Sequence, residues 1–301
     1  MTEEGAGPSV APVAAPFEPA PASPEPGPLI TCTDAAFSYE GRLALADVNC
    51  VVERGDYLCV VGENGSGKST LVRGMLGLLK PCGGSVSLAV GLRPADIGYL
   101  PQQSAARRDF PASVQEVVLS GRLSRLGLSP LYSRADREAA RGALAQLGIE
   151  GLARRGFSEL SGGQQQRVLL ARAISAADDG LVALVLDEPV NGLDPVVKQE
   201  MYACVDALNE RRGIAIIMVT HDVLTAVKHA RHMLALNGRQ EFFGTTEGFI
   251  QSDIGANLLR DSCAGTWAGA DADTWADTPG ATDTPGATGT PGATGTPAGE
   301  D

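Results

Sequence analysis

The run GENGSGKST, residues 62–70, constrains this chain more than any other stretch. It fits the spacing G-x-x-x-x-G-K-[ST] through Gly62, Gly67, Lys68 and Ser69. Alone it would be a glycine-rich turn before a lysine; its flanks decide otherwise. YLCVVG (57–62) is an apolar run that predicts a buried strand, and STLVRGMLGLL (69–79) has the apolar spacing of a helix. Strand–loop–helix is the setting a phosphate-binding loop requires. Its glycines let the backbone of Gly62, Glu63, Asn64, Gly65, Ser66 and Gly67 bend so that N–H groups converge on one anion, and the following helix adds its positive dipole end. Lys68 can reach the β- and γ-phosphates of a nucleotide, while the hydroxyl of Ser69, with Thr70 beside it, can bind Mg²⁺.

Two later runs end in the chemistry such a loop needs. LVALVLDEP (181–189) reads as a buried strand whose C-terminal end carries Asp187 and Glu188. Ligands bind at that end of parallel sheets. Asp187 is suited to hold Mg²⁺ through water, and Glu188 to orient or deprotonate an attacking water. IAIIMVTHD (214–222) ends the same way, with His221 placed to donate to a γ-phosphate. ELSGGQQQRVLLARAI (159–174) then opens a helix at the small-residue turn Ser161–Gly162–Gly163, followed by Gln164. That is a second anion-ready helix start. One nucleotide does not need two, so this turn is either a helix cap or faces a nucleotide held by another subunit.

With these residues in view, the chain resembles an ATP-binding-cassette ATPase subunit over about residues 29–250. LSGGQ (160–164) is similar to the family's signature motif. Tyr39 in FSYEG resembles the aromatic that stacks on adenine. YLPQQ (99–103) resembles the Q-loop, with Gln102 as its key residue and a metal contact, and Gln103 as the fallback. VNGLDP (190–195) resembles the D-loop, centred on Asp194, and His221 matches the switch histidine. Two departures are mild. Val190–Asn191 stand where many members carry Thr–Ser, and the signature continues QQQR rather than QRQR or QKQR. The resemblance implies an α/β P-loop NTPase cassette with a RecA-like core. An antiparallel β subdomain comes from the N-terminal strands, and a helical subdomain is inserted at about residues 104–166. It implies ATP and Mg²⁺ as ligands and a head-to-tail pair of cassettes, either a homodimer or with a paralogous cassette. In that pair each signature motif closes over the other's ATP.

Within the family the expected role is the ATP-hydrolysing subunit of a membrane transporter. A soluble cassette ATPase is the competing class, but its members resemble chains with two fused cassettes or long coiled-coil insertions, which this chain lacks. RRDFPASVQEVVLSGRLSR (107–125) follows the Q-loop, where cassettes receive the coupling helix of a permease subunit. Its DFP lead-in, together with EPVNGLDPVVKQEMY (188–202), is similar to zinc and manganese importers. Ferric-siderophore and cobalamin importers are the nearest alternative. The expected partners are permease subunits and, indirectly, an extracytoplasmic metal-binding protein. The expected place is the cytoplasmic face of the cell membrane.

Composition sets the boundaries. Residues 1–28 are rich in Ala, Pro and Gly, and residues 264–301 repeat DTPGAT, DTPGAT, GTPGAT and a degraded GTPAGE. Neither segment has the apolar content to offset its ordering entropy, so both are expected to be disordered, with 251–263 a short C-terminal extension. The tails hold ten acids and no Lys or Arg, which takes ten of the chain's net −12 and leaves −2 for residues 29–263. So neutral a core carries no electrostatic footprint for nucleic acid. No stretch of 18 apolar residues predicts a membrane span, and the acidic, proline-broken start is unlike a secretory signal. The six cysteines form no C-x-x-C pair and are expected as reduced thiols. His229 and His232, three apart, could share a helix face and chelate a metal. Basic residues at a helix C-terminal end account for them more simply.

Overall fold

In a computed structural model of the protein, residues 27–102, 111–126, 129, 131–177 and 180–267 are described, the last five as backbone. Gln103 and the Asp109–Phe110 lead-in lie outside the described residues.

The central sheet has six strands in the order β5-β6-β7-β3-β8-β9. They are β3 (Tyr57–Val61), β5 (Ile97–Leu100), β6 (Ala183–Asp187), β7 (Ala215–Val219), β8 (His232–Leu236) and β9 (Gln240–Thr245). All pairings are parallel except β9 against β8. Strands β3, β6 and β7 are buried at every position. This is why they read as continuous apolar runs: a parallel sheet covered on both faces has no polar side to show.

Alternate residues serve the two faces. Tyr57, Cys59 and Val61 join one core cluster with Leu170, Tyr202 and Val205. Leu58 and Val60 join the other with Phe37, Leu71 and Val72. That second face is covered by helix α1 (Lys68–Met75) and the antiparallel sheet β2-β1-β4, formed by β1 (Pro28–Tyr39), β2 (Arg42–Glu53) and β4 (Gly83–Leu88). Helix and sheet meet closely at Gly74, where a Cβ would lie 2.2 Å from the Phe37 ring.

The helical lobe contains α2 (Val114–Leu119), a 3₁₀ turn (Ser120–Arg125) and α3 (Arg134–Gln146). Val114, Val117, Val118 and Leu119 are all buried, as their spacing predicts. Arg122 and Asp136 form a buried ion pair that ties the 3₁₀ turn to α3, and Arg122 also donates to the Ser175 carbonyl at 2.8 Å. Helix α4 (Gly162–Ala176) runs from this lobe toward the core. Helices α5 (Pro195–Arg212), α6 (Val223–His229) and α7 (Thr246–Gln251) complete the core.

Both expected boundaries shift. The first strand already includes Pro28, which pairs with Glu53. The C-terminal extension is a helix, α8 (Asp253–Trp267), that continues four residues into the segment expected to be a disordered tail and takes in Trp267. Ile254, Leu258 and Leu259 of that helix pack on the core and anchor it.

Candidate nucleotide site

Strands β6, β7 and β3 are neighbours and parallel, so their C-terminal ends share one edge. The loop 62–70 leaves β3, Asp187 ends β6 with Glu188 next, and His221 lies two residues beyond β7. Three segments far apart in sequence are thereby brought to one lip of the sheet.

The loop itself is tightly held. A Cβ on Gly62 would lie 2.2 Å from the Leu236 carbonyl and 2.8 Å from Ser66 Oγ, so only glycine fits, at φ 143°. Gly67, at φ 101°, lies under Leu45 of β2. The Gly238 amide donates to the Ser66 carbonyl at 3.0 Å and steadies the loop from the β8–β9 turn. Gly65 has open space where a Cβ would point, and Glu63, Asn64 and Gly65 are exposed.

The polar groups of the loop bond to backbone carbonyls and to Asp187, and one has no partner among the described residues. Lys68 Nζ donates to the carbonyls of Gly62 (2.8 Å) and Glu63 (2.6 Å). Burial pushes this ammonium below the ordinary lysine value, against the pull of Glu188, Asp187 and Glu63. Ser66 Oγ is buried and finds no partner among the described residues. Ser69 Oγ donates to Asp187 Oδ2 at 3.2 Å. Burial pushes the Asp187 carboxyl up; the Ser69 bond opposes this and the Glu188 charge adds to it. A buried cation without a carboxylate contact, an orphaned hydroxyl and an acid desolvated beside a second acid fit a phosphate chain and a divalent cation.

Glu188 is the most constrained member. Its backbone takes φ 51°, the left-handed region rarely used by a non-glycine residue, and its amide donates to the Val219 carbonyl at 3.0 Å. Its side chain is nine-tenths buried. Glu188 Oε2 accepts from Gln102 Nε2 (3.0 Å) and from Asn191 Nδ2 (2.9 Å), and Oε1 lies 3.6 Å from His221 Nδ1. The structure thus joins Gln102, Glu188 and His221. In the sequence Asn191 stands out only as a departure from the family's D-loop pattern. Its signal was its position three residues on in a tight turn, where the Asn191 amide reaches the Glu188 carbonyl at 3.3 Å.

Tyr39 stands at the end of β1, 38% exposed, and its hydroxyl accepts from Arg73 Nη1 at 3.2 Å. Thr70, on the same helix as Arg73, is half-buried. Ser161 is the N-cap of α4. Its hydroxyl accepts from the Gln164 amide at 3.3 Å, and Gln164 Oε1 accepts from the Ser161 amide at 3.2 Å. Asp194 caps α5 by accepting from Val196 and Val197. The two capped turns touch: a Cβ on Gly163 would lie 2.4 Å from Val197, and one on Gly162 3.7 Å from Leu193. Gln166, in the unusual QQQR run, donates to the Pro189 carbonyl and links α4 to the turn after β6. His229 and His232 take separate carboxylates: Asp206 at 2.9 Å, with His229 stacked on Tyr202, and Asp56 at 2.8 Å.

Residues 45–191 match the family model described as ABC transporter. The manganese transport system ATP-binding protein MntB of Bacillus subtilis is 38% identical over 235 residues, which cover 74% of this chain and 92% of that protein. This chain belongs to the ABC transporter family. The zinc uptake system ATP-binding protein ZurA of Listeria innocua is 35% identical over 228 residues, covering 73% of this chain and 87% of it. The structure of cbiO1 from Clostridium perfringens, part of the ABC transporter complex cbiONQ, superposes with TM-score 0.64 at 25% identity over 79% of this chain and 99% of its own. An ABC transporter ATP-binding subunit binds and hydrolyses ATP, and it does so in a membrane-associated complex with permease subunits. Among the described residues no helix is long and apolar enough to cross a membrane.

Proposed function

We propose that this chain is the ATPase subunit of a zinc or manganese importer, working as a pair of cassettes on the cytoplasmic face beneath permease subunits. The observation that carries the catalytic part is the Glu188 carboxylate, gripped by Gln102 and Asn191 beside the Asp187–Ser69 pair. The metal assignment rests on MntB and ZurA as relatives and on the segment after the Q-loop.

In this reading Tyr39 stacks on adenine and the amides of residues 62–70 take the phosphates. Lys68 exchanges its two carbonyls for phosphate oxygens, a stronger charge-assisted contact. Ser69, Asp187 and Gln102 would hold Mg²⁺, which would supply positive charge against the phosphate chain. Glu188 accepts the proton of the attacking water, and His221 donates to the γ-phosphate. Ser161, Gly162, Gly163 and Gln164 of one chain, with Asp194 beside them, close over the nucleotide of the partner. Loss of the γ-phosphate reopens the pair, and this motion passes to the permease through Gln102 and the helix after Pro111.

Two measurements test it. Purified protein should hydrolyse ATP with added magnesium and stop with excess EDTA, while Glu188→Gln should bind MgATP and accumulate a closed dimer. A deletion strain should fail to grow at limiting zinc or limiting manganese and be rescued by wild type but not by Glu188→Gln. Normal growth at both limits, with a defect only on ferric siderophore, would transfer the chain to the other importer group.

A further inference from the structure

Cys32 and Cys50 stand directly opposite each other on β1 and β2. Both side chains are buried in the same core cluster, on the face that covers α1. On the other side of β1, the Ala89 amide donates to the Leu29 carbonyl, and the register continues through Ile30↔Leu88 and Thr31↔Ser87. The backbone groups of Leu29 and Thr31 therefore face β4, and those of Cys32 face β2. Cys32 and Cys50 form a hydrogen-bonded antiparallel pair, for which Cα atoms sit about 5.5 Å apart. That separation lies inside the roughly 4.4–6.8 Å window of disulfides.

We propose that Cys32 and Cys50 are a modification site: a cross-strand dithiol that closes reversibly to an intramolecular disulfide when a small-molecule disulfide is the oxidant. The Cys32 thiolate attacks one sulfur of the oxidant and expels the first thiolate, leaving a mixed disulfide. The Cys50 thiolate then attacks Cys32 Sγ and expels the second. The two protein thiols lose two electrons and two protons, and the oxidant becomes two thiols. The neighbouring Cys50 holds the Cys32 thiol below the ordinary range, while Cys32 and burial push the Cys50 thiol up, which favours Cys32 as the first nucleophile. β2 is the outer strand of its three-stranded sheet, held on its far side by the Ala46 and Asn49 amides bonding to Gly238 and Gln240, so local opening that releases these admits the oxidant.

Among the described residues the remaining thiols offer no such pairing. Cys59 is fully buried in the other core cluster, Cys82 is exposed, and Cys204 is half-buried. Directly opposed Cβ atoms are roughly 4.5–5.5 Å apart, closer in non-hydrogen-bonded pairs, whereas a disulfide holds them at about 3.5–4.5 Å. Closure therefore draws β1 and β2 together, and the bridge is easily reduced again. The same two strands carry Tyr39 at the end of β1 and Leu45 over Gly67, so the bridge forms in the sheet that holds the proposed adenine-stacking residue and packs on the glycine loop.

The test uses the full chain with Cys82→Ser, Cys204→Ser and Cys263→Ser, which keeps Cys32, Cys50 and Cys59. The folded protein is incubated with glutathione disulfide, acid-quenched, alkylated and mapped without reduction. The expected result is a linked Cys32–Cys50 peptide pair, the loss of two hydrogens in intact mass, two of three thiols withdrawn from alkylation, and recovery with a dithiol reductant. Adding Cys50→Ser should leave a glutathione adduct on Cys32 and no bridge. Cys32 and Cys50 both found free after long incubation, a bridge to Cys59, or a bridge formed only in urea would each overturn the proposal.

Discussion

Replacing Asn191 by alanine should lower turnover without weakening ATP binding. Glu188 sits on a left-handed backbone at φ 51°, a conformation that costs about 1–3 kcal/mol in a non-glycine residue and persists only where neighbours impose it. Its Oε2 has two donors, Asn191 Nδ2 at 2.9 Å and Gln102 Nε2 at 3.0 Å. A hydrogen bond to a charged group is worth about 1.5–3 kcal/mol, and the lower end applies because Gln102 remains and water reaches this exposed side of the turn. A loss of about 1.4 kcal/mol in the orientation of the base corresponds to about tenfold in kcat.

In the proposed cycle Gln102 would also hold Mg²⁺, whereas Asn191 has no role besides orienting the carboxylate. The assay is steady-state ATP hydrolysis by Asn191→Ala, giving kcat and KM separately. Asn191→Ser, which keeps a shorter donor, should recover part of the loss. Asn191→Asp places a second carboxylate against Glu188 and should fall below alanine at neutral pH. A kcat equal to wild type, or a loss confined to KM, would refute the reasoning.

The other predictions concern separate parts of the molecule. Lys68→Ala and Ser161→Arg chains, each inactive alone, should regain activity when mixed, because one site of the mixed dimer carries neither defect; no recovery despite demonstrated chain exchange would exclude a shared site. Gly163→Ala should destabilise by about 1–3 kcal/mol through overpacking against Val197, and adding Val197→Ala should restore the melting temperature and ATPase rate together. Ser133 and Arg122 hold the Asp136 carboxyl at about 2 against an ordinary 3.8, so its stabilisation is complete above pH 4 and is lost as pH falls toward 2. The shift is worth about 2 kcal/mol, and Asp136→Asn should flatten that part of the denaturant-midpoint profile.

Much of the nucleotide edge was legible because each piece is fixed by local chemistry. The loop after β3 needs glycine at Gly62 and Gly67, a strand covered on both faces must be apolar throughout, and the strand ends at the candidate site turn polar at Asp187 and Thr220. The contacts that were not legible depend on two remote segments or on an improbable torsion. Nothing local distinguishes Glu188 at φ 51° from an extended residue, yet that torsion is what brings Asn191 to its carboxylate. The packing of Gly163 against Val197 joins two helix starts more than thirty residues apart. The helix that runs to Trp267 was hidden by a composition that changes at 264, although Leu258 and Leu259 pack on the core before that change.

Ser161 was the open case: a helix cap or a ligand for a second nucleotide. Its hydroxyl accepts from the Gln164 amide, so the cap is real. A hydroxyl has one proton to donate besides its lone pairs, and the cap uses only a lone pair. The proton remains available to a phosphate oxygen, and the cap fixes the direction of Oγ before any ligand arrives. Ser161 and Gly162 are exposed in the single chain, with the first amides of α4 and their positive dipole end beside them. Capping and binding in trans are therefore compatible uses of one residue. Ser161→Ala should cost helix stability and ATP-driven dimerisation together, whereas Ser161→Asp should keep the cap and oppose a phosphate by charge. Equal dimerisation by the Asp variant and wild type would leave the cap as the residue's only role.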